Sequence, residues 1–263
     1  PDDLLALIPP GGGAAPATLG RAAAPSERAS LISVSDHLLD HACTLLAGLR
    51  LGLAPADIAA VGNSWQASAS FGFLTPVALQ ALLSAAGLLD EQGVPRPEPA
   101  RLFLEASRAE AMALLFTAWL DSPDFDELRL VPNLQVEGEL EYNPVRPRKL
   151  ILDFLSTIPG CTAGEEQPFW SLPDFLEAIR YSHPDFLRPS GDYDSWFIRD
   201  TDSGEFIRGF EHWEDVEGAL IHYLLVGPLH WLGILDLAAP NPGGNVTAFR
   251  FSAWAADFLA GKT

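Results

Sequence analysis

Apolar residues recur along this chain at two spacings, and the helical one dominates. Leu38, Leu39, Leu45, Leu46 and Leu49 follow Ser35 and Asp36 at helical intervals, with either polar residue placed to cap the first turn. Pro55-Ala56-Asp57-Ile58 opens a second, short helix closed by Gly62-Asn63. Thr75-Pro76 is an N-cap followed by proline at the first helical position, and that helix runs to Ala86. Over 108–120 a longer stretch sets Met112, Leu115, Phe116 and Trp119 on one face. In the second half the spacing predicts a helix over 145–156, a short strand at Phe169-Trp170, and a helix over 174–182 introduced by Ser171-Leu172-Pro173-Asp174. A helix over 213–231 follows, kinked at Gly227-Pro228, and another over 254–260 closes the pattern.

Two of these helices end alike. Leu82-Leu83-Ser84-Ala85-Ala86-Gly87-Leu88-Leu89-Asp90 and Leu229-His230-Trp231-Leu232-Gly233-Ile234-Leu235-Asp236 each run into glycine, then into residues fit for a strand. Glycine supplies the left-handed conformation that stops a helix. Pro/Gly-rich turns at 93–99 and 240–244 then return the chain, to Leu102-Phe103-Leu104 in the first case and Phe249-Arg250-Phe251 in the second. A helix feeding a β-hairpin is the C-terminal half of a winged-helix module. The pattern therefore predicts an α+β fold, predominantly α, with two such modules over 31–143 and 144–263. The second carries an inserted β-hairpin at about 194–210, where Trp196-Phe197-Ile198-Arg199 and Glu205-Phe206-Ile207-Arg208 flank Asp200-Thr201-Asp202-Ser203-Gly204. Residues 122–142 read as the connection, and 1–30, rich in Pro, Gly and Ala, as a flexible arm or linker.

Composition narrows the function. The chain of 263 residues is 48% hydrophobic, enough for a sizeable core, and carries 35 acidic against 16 basic residues for a net charge of −19. Duplex DNA is held by Lys and Arg on phosphates, so the overall field opposes that partner. The apolar run 219–239 is interrupted by His222, His230 and Gly227-Pro228 and preceded by Glu214, Asp215 and Glu217, which marks a buried core segment rather than a membrane span. Cys43 and Cys161, far apart, read as two reduced, buried thiols of a cytoplasmic protein. The start at Pro1 and the end just after a helix read as a piece of a longer chain.

The sequence around these elements carries a resemblance. Gly87-Leu88-Leu89-Asp90, the first wing, and Ala118-Trp119-Leu120-Asp121-Ser122 with Asp126-Glu127-Leu128 behind it resemble helicase-associated winged-helix proteins related to the N-terminal region of bacterial XPB/Ssl2-like helicases. The segments from Pro184-Asp185-Phe186-Leu187 to Ser195-Trp196 and Gly227 to Gly233 are similar to relatives of that group. The likeness spans roughly 70–260. The helicase motor has no counterpart in this sequence, and Gly261-Lys262-Thr263 lacks the upstream glycine of a phosphate loop. The resemblance implies a place beside nucleic-acid machinery and supplies no catalytic residue.

Candidate chemistry is sparse. His37 and His41 share a helix face, as a zinc pair would, but no third ligand stands at a motif spacing. Asp192, Asp194, Asp200, Asp202 and Glu205 crowd the inserted hairpin without the spacing of a calcium loop, and read as a solvated tip with partners among Arg188, Arg199 and Arg208. Arg146, Arg148 and Lys149 form the one basic cluster. With Arg250 of the second wing they are the candidate nucleic-acid contacts. The third helix of the second module, where a reader of base edges would carry Arg or Asn, offers Glu211, Glu214, Asp215 and Glu217 instead. The aromatic residues read as core, or else as anchors of a protein interface. No catalytic, cofactor or metal set is expected. Two functions compete: a non-enzymatic protein-interaction scaffold beside DNA-handling machinery, its partner another protein, and a DNA-binding transcriptional regulator. The charge favours the scaffold.

Overall fold

A computed structural model describes residues 18–61, 74–138, 140, 142–160, 167–188 and 192–256. Gly62-Asn63, Cys161 and most of the closing helix expected over 254–260 lie outside them. Among the described residues the chain is α+β and mostly helical, with two small antiparallel sheets.

The first half is a helical cluster. Strand β1 (Ser30–Ile32) leads into α1 (His37–Arg50), α2 (Pro55–Val61) and α3 (Pro76–Ala85). The leucines of α1 and α3 bury against one another, as their spacing predicts. Gly48 lets α2 come close: a Cβ there would sit 2.4 Å from the Ile58 side chain. Thr75 caps α3 by accepting from the Ala78 N–H at 3.1 Å. After Gly87 (φ +69°) the chain does reverse, with the Asp90 N–H on the Val94 carbonyl and the Arg96 N–H on the Leu88 carbonyl, both at 2.9 Å. The returning strand is not the expected one. Leu102-Phe103-Leu104 belong to a helix, α4 (Pro97–Glu105). Proline at its first position and the Arg101 pairs to Glu98 and Glu105 favour that helix, which buries Ala100 and Phe103 on one side. Helix α5 (Arg108–Asp121) begins at a reciprocal cap between Ser107 and Glu110.

The connection is more structured than its composition suggests. It holds a 3₁₀ turn (Glu127–Arg129) and strand β2 (Leu134–Val136). Beyond it come α6 (Val145–Ser156), β3 (Trp170–Ser171), α7 (Leu172–Ser182) and β4 (Ile198–Asp200). The expected long helix over 213–231 is divided. A 3₁₀ turn (Phe210–His212) and a π-turn (Glu214–Gly218) precede α8 (Ala219–Val226), and Gly227, at φ −96° and ψ −107°, separates α8 from α9 (Pro228–Trp231). A Cβ on Gly227 would lie 2.5 Å from the Tyr223 carbonyl oxygen. The hairpin after Gly233 forms as read, β5 (Leu235–Ala239) against β6 (Ala248–Phe251), with Leu235 opposite Phe251 and Leu237 opposite Phe249.

The larger sheet runs β1-β5-β6-β3. Its first strand comes from the edge of the expected arm, and residues 18–30 are built into the fold rather than free of it. The Trp170 Nε1–H donates to the Leu19 carbonyl at 2.6 Å, the Ala23 N–H to the Phe169 carbonyl at 2.8 Å, and Arg21 joins Glu27 to Asp174. The inserted hairpin is present in reduced form: Arg199 bridges Phe206, and the Ile207 N–H reaches the Ile198 carbonyl. Its strand β4 pairs chiefly with β2. One continuous buried cluster reaches from Leu19 to Ala255 and includes α8, α9 and β5, so the apolar run 219–239 is core. Among the described residues no helix is long and apolar enough to cross a membrane.

Candidate functional site

The candidate nucleic-acid contacts separate in space. Arg148 is fully buried and cannot touch a phosphate. Its guanidinium binds both carboxylate oxygens of Glu127, at 2.6 and 2.9 Å, donates to the carbonyls of Trp119, Ser122 and Phe125, and lies over the Trp119 and Phe125 rings. A charge goes inside only when a counter-ion and hydrogen bonds meet it there. The helical period contains the signal: Arg148 shares the face of Ile151 and Leu155. Arg146 and Lys149 are exposed on the same helix. Arg250 pairs with Asp236 at 3.0 Å and lies over the Phe169 ring, beside Arg28, in a small pocket of about 470 Å³.

The acidic hairpin is likewise self-contained. Hydrogen bonds within their own turns lower the carboxyls of both Asp192 and Asp200, from the Ser195 side chain and then its backbone N–H for Asp192, and from the Ser203 backbone N–H and side chain for Asp200. The expected arginine partners are taken elsewhere. Arg188 holds Glu217 at 2.6 and 2.7 Å, both buried, and Arg199 holds Glu137 at 2.5 Å. Arg208 lies over Phe197 and Phe206. His37 pairs with Asp40, while His41 is buried, and Cys43 is exposed rather than buried as expected. Among the described residues no three His, Cys, Asp or Glu side chains gather as metal ligands.

One concavity was marked by no motif. A groove of about 970 Å³ runs between α7 and the π-turn–α8 segment. Pro173, Leu176, Tyr181 and Pro184 line one wall, and Phe210, Trp213, Gly218, Ala219 and His222 the other. The surplus lies off the buried stripe of α7: Phe175 and Ile179 enter the core, Leu176 packs against it only in part, and Tyr181 lies outside it. Tyr181 is 92% exposed and Phe210 43%. The floor is fixed. The Trp213 indole N–H donates to the Pro184 carbonyl at 2.8 Å, and Phe210 meets Tyr193 edge-on at 5.3 Å. Burial pushes the Tyr193 hydroxyl up to about 12 and pushes the His222 imidazole down, toward its neutral form.

The rim is acidic. Glu177 and Glu214 line the groove, and Glu211 and Asp215, neighbours in the chain of its lining residues, are exposed, Asp215 paired with His212. Arg180 is the one cation of the lining; it reaches Glu214 at 2.5 Å and lies over the Phe210 ring. The π-turn opens the helix backbone by one residue beside this wall, a feature often found at functional sites. Apolar and aromatic walls of this kind suit the binding of an apolar group. Comparison of the chain with protein-family models, with curated proteins and with solved structures returns no match.

Proposed function

We propose that this chain is a non-enzymatic protein-interaction scaffold that works in the cytoplasm beside DNA-handling machinery, on a framework of two winged-helix modules. The order α6, β3, α7, α8 and then the β5–β6 hairpin, with β3 paired to β6, supports that framework in the second half. The three helices and the short reversal after Gly87 support it in the first. The resemblance to helicase-associated winged-helix proteins supports the cellular setting.

One observation carries the choice of a protein partner: the cations of this acidic chain are mostly spent on its own carboxylates. Arg148, Arg188 and Arg250 hold Glu127, Glu217 and Asp236, and α8, the counterpart of a groove-reading helix, is buried nearly throughout. Phosphate contacts need free Lys and Arg, and with a net charge of −19 the remaining field repels DNA. Arg146 and Lys149 are exposed on one helix without an ion pair among the described residues, as Arg28, Arg50, Arg96 and Arg208 are elsewhere, and as members of the basic cluster they define the test. The purified chain is titrated against labelled duplex and single-stranded DNA at about 50 mM salt, where phosphate contacts are strongest. The expected result is no micromolar binding. Micromolar binding that falls steeply with salt and disappears in the variant Arg146→Glu/Lys149→Glu would replace the scaffold with a DNA-binding regulator.

A further inference from the structure

We infer that the groove between α7 and the π-turn–α8 segment receives a short segment of a partner protein in which an apolar anchor is flanked by Lys or Arg; this rests on the scaffold reading above. Scattered exposed aromatics are ordinary on a protein surface. Here they converge. Tyr181 and Phe210 face one depression whose walls also include Leu176, Pro173 and Ala219. Its volume, about 970 Å³, lies near the top of the range of single-ligand pockets, roughly 300–1,000 Å³, with room for more than one apolar side chain. The walls are set before anything binds, since Trp213 is pinned to Pro184 and Phe210 lies between Tyr193 and Arg180. A preformed floor spares the ordering entropy that a mobile one would lose.

Charge selects among occupants. Glu214 is answered by Arg180, but Glu177 and Glu211 make no ion pair among the described residues and stand exposed, and burial disfavours the cationic form of His222. An occupant that covers the apolar walls therefore meets a negative rim. Nucleic acid and anionic lipid would be repelled by it, and so would a second copy of a chain with net charge −19. A segment with cations on either side of its anchor is attracted, and the rim sets its register as it docks.

The test uses the full chain. A displayed library of random short peptides is selected against it at about 150 mM salt, a strength that screens all but close charges. Lys and Arg flanking an apolar core should be enriched. A synthetic peptide of the enriched sequence should bind about tenfold more weakly to Tyr181→Ser, which removes an exposed ring at the groove mouth. It should weaken by a similar factor against Glu177→Lys, and selection on that variant should no longer favour cations. Both residues are exposed, and an unchanged thermal transition in each variant ties the loss to the groove. Absence of any enriched sequence, enrichment without cations, binding indifferent to both variants, or displacement of the peptide by a DNA oligonucleotide or anionic vesicles would overturn the assignment. If the peptide arm fails while the chain binds no DNA, the groove assignment falls and the scaffold stands. DNA binding lost on Arg146→Glu/Lys149→Glu would instead remove the scaffold itself.

Discussion

Arg148 and Arg188 are the two buried arginines among the described residues. Each grips a buried glutamate with two nitrogens, and each lies against aromatic rings. Such a pair adds little net stability over an apolar equivalent, but the loss of one partner leaves a lone charge inside. Arg148→Met should therefore lower the unfolding free energy by about 3–5 kcal/mol, read from urea titration. The double variant Arg148→Met/Glu127→Leu should be more stable than the sum of the two single losses allows, because it leaves no unpaired ion. Additive losses would show that the two charges are not coupled. Arg146→Met, on the exposed side of the same helix, should change stability by less than about 0.5 kcal/mol.

At the scale of elements, the break between α8 and α9 decides where the hairpin leaves the core. Gly227 holds it at a backbone conformation with ψ −107°, and its Cα faces the Tyr223 carbonyl and the Trp231 ring. Gly227→Ala would place a methyl group 2.5 Å from that carbonyl oxygen. The backbone must shift to accept it, at a loss of roughly 1–3 kcal/mol, the usual range for an overfilled core. A melting transition unchanged from the parent would show that the α8–α9 corner is softer than its packing implies. The break was readable in the chain as Gly227-Pro228, since proline cannot supply the N–H that would continue the ladder. The helix over Pro97–Glu105 was not: three consecutive apolar residues fit a strand as well as a helix, and the Arg101 pairs that favour the helix form only once it has turned.

Across the whole molecule, residues 18–32 are tied down by strand pairing, backbone hydrogen bonds and buried apolar contacts, with an exposed ion pair added to them. Glu27 bonds Arg21 and the Ala24 N–H, which hold its carboxyl near 2, well below the usual 4.5. A carboxyl lowered by folding adds stability above its unfolded pKa and loses it as pH falls through the folded value. The stability difference between the parent and Glu27→Gln should then be full at pH 7 and shrink as pH falls from about 4.5 to about 2. Equilibrium unfolding at several pH values measures it, and hydrogen exchange over residues 18–32 should locate the loss in β1 and its approach. A gap that stays constant to pH 2 would place the docking in β1–β5 pairing and Leu19 burial alone.

The sequence by itself determined the local punctuation of this protein: Thr75 as a cap, Gly87 and Gly233 as helix ends, the extent of Val145–Ser156, and the pairing of the β5–β6 hairpin. Each rests on bonds between near neighbours, so a short window contains the whole cause. It also determined the net charge that weighs against DNA. Tertiary structure alone decided the partner of β4, the docking of residues 18–32, the burial of Arg148 and the meeting of Tyr181 with Phe210 across one groove. In those cases the energy lies between residues far apart in the chain. A guanidinium reads as surface until a glutamate from another element meets it, and an aromatic ring reads as core until the helix that carries it turns that ring outward.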